Sequence, residues 1–232
     1  MDIAGSIGVV LLAALLFVWG VWSWPLSDPD AGMYADISAS MVASDDWLTP
    51  RFNGLRYLEK PPILYWLIAA TYRLAGLSEW GAHLWPALAG MAGVATTMAL
   101  GRATFGPRVG ILAGLILATS IGYTVYTRVV STDLLFTAFL SLALLAFWQG
   151  YRGHGWGWKL LLYVSIGLAM MTKGVIGFCL PGLIVVGFLA LTGNLAALKR
   201  LGLWWGLPLC WPSPCHGMCW WPSGMRTSSV FM

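Results

Sequence analysis

The stretch IAGSIGVVLLAALLFVWGVWSW, residues 3–24, contains 22 residues and none of them is charged. An α-helix needs about 20 mostly apolar residues to cross the hydrocarbon core of a bilayer. The stretch is therefore long enough to span a membrane. Because it has no basic segment before it and no clear small-residue cleavage site, we expect a retained anchor and not a secretory signal peptide.

The composition of the whole chain agrees with a membrane location. Hydrophobic residues make up 59% of the chain and charged residues only 9%, whereas a soluble domain carries about 25% charged residues. Many of the 15 tryptophans lie near the ends of apolar runs, where the indole ring prefers the headgroup region. The basic residues are scattered without a stripe or patch, which argues against a nucleic-acid partner. We therefore expect an integral membrane protein whose surroundings are membrane lipids.

Apolar runs recur along the chain and set its organisation. Besides residues 3–24, we expect membrane crossings at Leu84–Leu100, Val109–Tyr126, Leu134–Trp148, Leu160–Met171 and Val175–Leu191. The shorter run Pro61–Ala75 is amphipathic and near the lower length limit, so we expect it to lie along the membrane interface. The predicted fold class is all-α: a polytopic transmembrane helical bundle with a long first outer loop that carries interfacial helices.

The distribution of charge predicts which loops share a side. If the N-terminus is cytoplasmic and Pro61–Ala75 does not cross, the cytoplasmic turns contain six basic residues and no acidic residue, as the positive-inside rule requires. These are Arg102, Arg108, Arg152, Lys159, Lys199 and Arg200. The loop Ser27–Lys60, the turn at Asp133 and the break at Lys173 then meet at the opposite face. In a bacterium this predicts a multi-pass inner (plasma) membrane protein with a periplasmic site.

Two acidic positions are candidates for chemistry. Asp28-Pro29-Asp30 follows the first apolar run, and its carboxylates could act as base or metal ligand; alternatively, they form a solvated loop and cap a helix that starts near Gly32. Asp133 lies between two long apolar runs, where an ionisable residue is a functional hypothesis by default. The alternative for Asp133 is a helix N-cap, a role that Thr132 could also fill.

Two lysines are candidates for binding an anion. Lys173 interrupts two apolar runs within Met171-Thr172-Lys173-Gly174 and could bind a phosphate, or its side chain could extend to the nearer interface. Lys60 lies in Tyr57-Leu58-Glu59-Lys60-Pro61-Pro62, where the prolines keep it out of a helix. The alternative for Glu59 and Lys60 is a surface ion pair of little energetic value.

Several motifs in the first loop occur in a recognisable order. They are Asp28-Pro29-Asp30, Tyr34-Ala35-Asp36-Ile37, Asp46-Trp47-Leu48-Thr49-Pro50, Asn53-Gly54 and Tyr57-Leu58-Glu59-Lys60-Pro61-Pro62-Ile63-Leu64-Tyr65-Trp66. The series resembles the first outer loop of the bacterial protein-mannosyltransferase-like family, which includes the aminoarabinose transferase that modifies lipid A. Asp133 and the motif 171–174 also fit its order and spacing. The resemblance covers residues 1–206, an N-terminal transmembrane glycosyltransferase region.

The resemblance implies a type-C glycosyltransferase fold and an inverting transfer of sugar from a polyprenyl-phosphate donor to a lipid, glycan or protein acceptor at the periplasmic face. Its motifs also imply roles for individual residues. Asp30 and Asp133 match the catalytic acids, Lys60 matches the residue that faces the donor phosphate, and Glu59 matches a position that contributes to a divalent metal site. The other implied substrate-binding residues are Tyr34, Tyr57, Arg128 and Lys173.

The chain departs from the family pattern at three places. Ala31 follows Asp30 where the family usually has Glu, and His83 stands where it often has Arg. Residues 207–232 form an atypical tail rich in Trp, Cys, Pro and Ser, which we interpret as a shifted or truncated reading frame. The tail leaves open the alternative of an inactive truncated fragment. A membrane transporter or lipid-translocating protein is a further alternative, because it would explain charged residues and helix breaks within the membrane. The transporter alternative predicts inverted repeats, and the sequence shows none.

Overall fold

A computed structural model describes residues 3–19, 21–22, 24–26 and 28–202. Over these ranges the regular secondary structure is helical except for one short β-hairpin. The elements in chain order are α1 Ile3–Val18, α2 Pro29–Ser44, β1 Arg51–Phe52, β2 Leu55–Arg56, α3 Ile63–Ala75, α4 Glu79–Phe105, α5 Pro107–Thr119, α6 Ile121–Tyr126, α7 Thr132–Tyr151, α8 Trp156–Lys173, α9 Ile176–Leu191 and α10 Ala197–Leu201. The atypical tail 207–232 lies outside the described residues.

The long helices α4 and α7 are, among the described residues, the two with enough length and apolar content to cross a membrane. Four apolar helices are shorter: Ala4–Val18, Ile63–Ala75, Pro107–Thr119 and Ile176–Leu191. The sequence prediction placed one span over 109–126, but the structure has two helices, α5 and α6, with Ser120 between them in extended backbone (φ −66°, ψ 121°). The Thr124 hydroxyl donates to the Ala118 carbonyl at 3.3 Å, which satisfies a carbonyl that the end of α5 leaves free.

The first predicted span also differs from its helix. Residues 3–24 were expected to form one crossing, yet α1 ends at Val18 and a turn follows at Trp19. Sixteen helical residues extend about 24 Å, which is shorter than the hydrocarbon core of a typical bilayer. The aromatic residues after Val18 therefore lie beyond the helix, and not within it.

The helices alternate in direction, so that their connections gather at two ends of the bundle. Trp148 Nε1 and an Arg152 guanidinium nitrogen donate to the Ala103 carbonyl at 3.3 and 2.8 Å, which joins the last turns of α4 and α7. At the same end the Tyr163 hydroxyl donates to the Leu201 carbonyl at 3.0 Å. We call this the basic end. The opposite end, which carries the first outer loop, the start of α7 and the α8–α9 connection, is called the polar-loop end.

The first outer loop is largely ordered secondary structure. Asp28 caps α2, because its carboxylate accepts the Asp30 amide at 3.2 Å, and Pro29 occupies the first helical position, where proline is favoured. The sequence analysis expected this helix to start near Gly32, and the structure shows that it begins three residues earlier, at Pro29. Asn53 and Gly54 join β1 to β2 with φ of 51° and 78°, the type I′ turn that Asn-Gly favours. The sequence analysis did not predict this hairpin.

Helix α3 packs its apolar face on α2 and fixes the first loop against the bundle. Tyr34, Ile37 and Met41 of α2 are buried in one cluster with Leu64 and Tyr65 of α3. Thirteen residues extend only about 20 Å, which is less than the roughly 30 Å hydrocarbon core. The expectation that this segment does not cross the membrane stays a prediction that its length favours.

Candidate active site

A cleft of about 290 Å³ opens at the polar-loop end. Four segments build it: the first turns of α2, the residues before α3, the start of α7, and the connection from α8 to α9. Its lining residues are Asp30, Tyr34, Glu59, Lys60, Pro61, Ser131, Thr132, Asp133, Thr172, Lys173 and Ile176. Segments far apart in sequence thus bring carboxylates and ammonium groups into one cavity.

The first half of the cleft is an acid, a lysine and a tyrosine. Asp30 and Tyr34 lie one helical turn apart and therefore share a face of α2. Tyr34 is only 1% exposed, which fixes its hydroxyl at the cleft wall. The Lys60 ammonium donates to that hydroxyl at 2.5 Å and lies 3.8 Å from the Asp30 carboxylate. Pro61 holds the backbone after Lys60 out of helical geometry.

Lys60 is positively charged at neutral pH. Its burial alone would lower the pKa, but the hydrogen bond to the Tyr34 hydroxyl and the charge of Asp30 outweigh that effect and raise the pKa above the usual lysine value. A neighbouring carboxylate favours the charged form of an amine in this way. The cleft therefore presents a fixed cation beside Asp30.

The second half of the cleft is the pair formed by Asp133 and Lys173. The Ser131 hydroxyl accepts the Asp133 amide at 3.3 Å, so Ser131 is the N-cap of α7. The alternative in which Asp133 or Thr132 caps the helix is therefore wrong, and the Asp133 carboxylate is left to accept a hydrogen bond from the Lys173 ammonium. Both side chains are partly exposed, at 46% and 33%, so solvent screens their attraction.

The α8–α9 connection sets the position of Lys173. Lys173 is the last residue of α8, and Gly174 turns the chain with φ of 66°, a backbone region that favours glycine. Gly177 then packs α9 directly on the α8 backbone: a Cβ at this position would lie 2.3 Å from the carbonyl carbon of Ala169. This close approach fixes the backbone from which the Lys173 side chain extends.

Glu59 and Tyr57 form a third polar contact beside the cleft. The Tyr57 hydroxyl donates to the Glu59 carboxylate at 3.0 Å. Burial first, and then this carboxylate, raise the pKa of Tyr57 above its usual value. Lys60 contacts Tyr34 and Asp30, so Glu59 and Lys60 do not form the surface ion pair that was one sequence-based alternative.

The metal role of Glu59 stays a prediction. In the part of the chain that the structure describes, no group of three His, Cys, Asp or Glu side chains is placed to hold one metal ion. We therefore derive no chemistry from a metal at this position.

Arg128 lies outside the cleft. It lines a neighbouring cavity of about 110 Å³ together with Trp24, Asp28 and His83. Its guanidinium lies 5.1 Å from the centre of the Trp24 ring and donates to the Leu16 carbonyl at 3.4 Å. The structure thus brings Asp30, Tyr34, Glu59, Lys60, Asp133 and Lys173 together, with Tyr57 behind Glu59, and separates Arg128 from them.

Three hydroxyl-bearing lining residues were not singled out as site residues in the sequence: Ser131, Thr132 and Thr172. Ser131 was detectable in principle, because a serine just before an apolar helical run is a typical N-cap signal. Thr172 carried no comparable signal. Its hydroxyl donates to the Ala169 carbonyl at 2.6 Å within α8, which leaves its methyl group and backbone to shape the cleft wall.

The fold matches solved membrane enzymes. The structure resembles the crystal structure of ArnT from Cupriavidus metallidurans bound to undecaprenyl phosphate, with a TM-score of 0.83 and 32% sequence identity over 90% of this chain and 40% of that chain. At this similarity the fold class is that of the type-C membrane glycosyltransferases, and the predicted all-α polytopic bundle is confirmed.

Sequence comparison then gives the family. Residues 59–212 match the family described as dolichyl-phosphate-mannose-protein mannosyltransferase. The match covers well over half of the chain, so the chain belongs to this family. The resemblance stated from the first-loop motifs is confirmed, and these matches do not favour a transporter or an inactive fragment.

Two curated relatives illustrate the range of the match. An uncharacterized protein from Aquifex aeolicus (strain VF5) is 33% identical over 74% of this chain and 34% of its own length. An undecaprenyl phosphate-alpha-4-amino-4-deoxy-L-arabinose arabinosyl transferase from Pseudomonas savastanoi pv. phaseolicola (strain 1448A / Race 6) is 32% identical over 84% of this chain and 38% of its own length. The chain thus spans about a third of the length of the curated relatives it matches.

Proposed function

We propose that the chain carries the acid and lysine groups of a glycosyltransferase active site that takes sugar from a polyprenyl-phosphate donor. The observation that carries the proposal is the placement of two lysine–carboxylate pairs in one cleft, in a fold shared with a protein crystallised with undecaprenyl phosphate. An undecaprenyl-phosphate-linked aminoarabinose is the favoured donor, because arabinosyl transferases are among the relatives.

The lysines fit the leaving group. When the bond between the sugar C1 and the phosphate oxygen breaks, the electron pair stays on the polyprenyl phosphate, and its charge increases. Lys60 is a fixed cation at the cleft wall and Lys173 faces it from the α8–α9 connection. Donors already in place when this charge develops stabilise the transition state without reorganisation.

The carboxylates fit the acceptor. A new bond forms between C1 and an acceptor oxygen on the face opposite the leaving phosphate, which inverts the anomeric centre. If the acceptor is a hydroxyl, its proton passes to a carboxylate, for which Asp30 is the first choice and Asp133 the second. If the acceptor is a phosphate, no proton moves, and Asp30 acts by positioning it.

The charge distribution supports a periplasmic location for this cleft. The basic end carries Arg102, Arg108 and Arg152, and the positive-inside rule assigns such turns to the cytoplasm. The polar-loop end then faces the periplasm of an inner membrane, and the N-terminus is cytoplasmic. The acceptor is accordingly a lipid, glycan or protein exposed on that side, and a lipid is favoured because the first-loop motifs resemble those of the aminoarabinose transferase that modifies lipid A.

Transfer and donor binding test the two roles separately. The chain is expressed in membranes with radiolabelled undecaprenyl-phosphate aminoarabinose, and transfer to lipid is measured beside equilibrium binding of the donor. We expect Lys60→Met to weaken donor binding. We expect Asp30→Asn to abolish transfer while binding is kept or becomes tighter, since the substitution releases Lys60 from its carboxylate.

Asp36→Asn is the matched control, because Asp36 lies on the same helix, is exposed and does not line the cleft. Transfer that survives Asp30→Asn at the level of the Asp36→Asn control would refute the catalytic assignment. Donor binding that is unchanged in Lys60→Met would refute the phosphate assignment.

A further inference from the structure

A second polar cavity lies at the basic end, away from the proposed active site. It measures about 430 Å³ and is lined by Gly150, Tyr151, Arg152, Gly153, Lys159, Asn194, Ala197 and Leu201. Among the described residues its lining contains a guanidinium, an ammonium, an amide and a phenol, and no carboxylate. The Arg152 guanidinium also donates to the Ala103 carbonyl, and the Asn194 amide donates to the Tyr151 hydroxyl, so the remaining N–H and O–H groups are those that can reach a ligand. These are the groups that bind the oxygens of a phosphate.

The surroundings of this cavity are basic as well. Among the described residues, the carboxylates lie in the first outer loop or at the first turns of α4 and α7. Asp133 and Arg152 are separated by 19 residues along α7, which corresponds to about 29 Å at 1.5 Å per residue. The Arg152 guanidinium is therefore far from the Asp133 carboxylate. Arg102 lies at the same end as Arg152, because Arg152 bonds the carbonyl of Ala103.

An apolar groove of about 590 Å³ continues from this cavity. It runs between α8 and α9, with Phe178 and Val186 along one wall, and Leu198 and Leu201 line it at the basic end. Leu201 lines both the groove and the polar cavity. The Tyr163 hydroxyl is used by the Leu201 carbonyl, so this side chain presents its ring to the groove.

We propose that the cavity and the groove together bind an anionic phospholipid. The phosphodiester lies against Arg152 and Lys159, and one acyl chain lies in the groove along α9. Basic pockets between membrane helices bind anionic headgroups in this way. The combination of a basic cavity and an apolar groove favours a phospholipid over the other occupants. A free phosphate would leave the apolar groove empty, and an apolar protein segment or a second copy of the chain would not neutralise the cations.

Lipid binding to the purified chain tests this site without any enzyme assay. The chain in detergent is titrated with phosphatidylglycerol and with phosphatidylcholine of the same acyl chains, and bound lipid is counted by native mass spectrometry. We expect phosphatidylglycerol to bind at least about tenfold more tightly. Equal binding of the two lipids would overturn the proposal, and so would displacement of the lipid by inorganic phosphate at millimolar concentration.

Charge variants locate the headgroup. Arg152→Gln should remove about tenfold of the preference for phosphatidylglycerol, and Arg152→Lys should restore part of it. The control is Arg51→Gln, which changes the net charge equally at the polar-loop end, where Arg51 lies 4.0 Å from Asp46. A loss of the same size in the Arg51 variant would show a general charge effect and overturn the site.

Two glycines of α9 provide a matched pair for the acyl chain. Gly182 lines the groove and Gly187 does not, and a Cβ at either position meets nothing within 4 Å. Gly182→Trp fills the groove and should lower the affinity for phosphatidylglycerol, whereas Gly187→Trp should leave it unchanged. Equal affinities in the two variants, at equal thermal midpoints, would show that the groove holds no acyl chain.

Discussion

Substitution of Gly177 by alanine should disturb the proposed active site through the backbone, without altering any charged group. A Cβ at Gly177 would lie 2.3 Å from the Ala169 carbonyl carbon, 2.4 Å from the Ala169 oxygen and 2.4 Å from the Met170 nitrogen. All three atoms belong to the backbone of α8, so no side chain can rotate away. They lie about one helical turn before Lys173, which pairs with Asp133 in the cleft.

The size of the effect follows from the overlap. Carbon atoms in contact prefer separations of about 3.5–4.0 Å, so α8 and α9 must move apart by about 1 Å to admit the methyl group. Overpacking of this kind costs about 1–3 kcal/mol. For a domain of this length, at about 2–4 °C per kcal/mol, the loss corresponds to a fall of roughly 2–12 °C in the thermal midpoint.

The assay is thermal unfolding in detergent, compared with Gly187→Ala on the same helix, where a Cβ meets nothing within 4 Å. The control should unfold at or above the wild-type temperature, because alanine is favoured over glycine in a helix by about 1 kcal/mol. Donor binding, measured on the same samples, should weaken only in Gly177→Ala. A Gly177→Ala protein as stable as the Gly187→Ala protein would refute the close packing of α8 on α9.

Two further predictions concern other parts of the fold. The hydrogen bond from Arg73 is the largest cause, and that from Trp47 the second, of a pKa of Asp45 below its usual 3.8. Because the pKa is depressed in the folded state, the ionised Asp45 carboxylate stabilises the fold above pH 3.8. This stabilisation is lost as the pH falls through the folded-state pKa. The difference in thermal midpoint between the wild type and Asp45→Asn should therefore shrink on acidification and vanish well below pH 3.8. Gly110→Ala should lower the thermal midpoint, because its Cβ would lie 2.6–2.9 Å from atoms of α4. The control Gly122→Ala should not lower it, because a Cβ there meets nothing within 4 Å. Equal midpoints of the two variants would contradict the close packing of α5 on α4.

The sequence was sufficient for the coarse fold because the period and length of apolar runs are set by the bilayer. The alternation of loops between two ends follows from counting such runs, and it brings the first loop, Asp133 and Lys173 to one end. The break at Ser120 was not predictable in this way. A serine within an apolar run carries little weight in hydropathy, and the break depends on Thr124 satisfying the carbonyl of Ala118.

Some positions in the candidate site follow from sequence spacing alone, and others depend on how the chain packs. Asp30 and Tyr34 had to share a helix face once α2 formed, and the prolines after Lys60 had to keep it out of a helix. The separation of Arg128 from Asp133 was not predictable, although only four residues lie between them in the sequence. The turn before Ser131 directs Arg128 to the ring of Trp24, and that contact depends on the path of the chain after α1.

The net charge of the cleft determines how an anionic donor could bind beside its two lysine–carboxylate pairs. Asp30, Glu59 and Asp133 contribute three negative charges, and Lys60 and Lys173 contribute two positive ones. The N-termini of α2, α7 and α9 add about half a positive charge each, and the C-terminus of α8 removes about half, so the cleft is close to neutral. An anionic donor is therefore not drawn in by an excess of positive charge. In the proposed mechanism its phosphate takes the place of the carboxylates beside the lysines, and the carboxylates that it releases are those that would hold the acceptor for the transfer step.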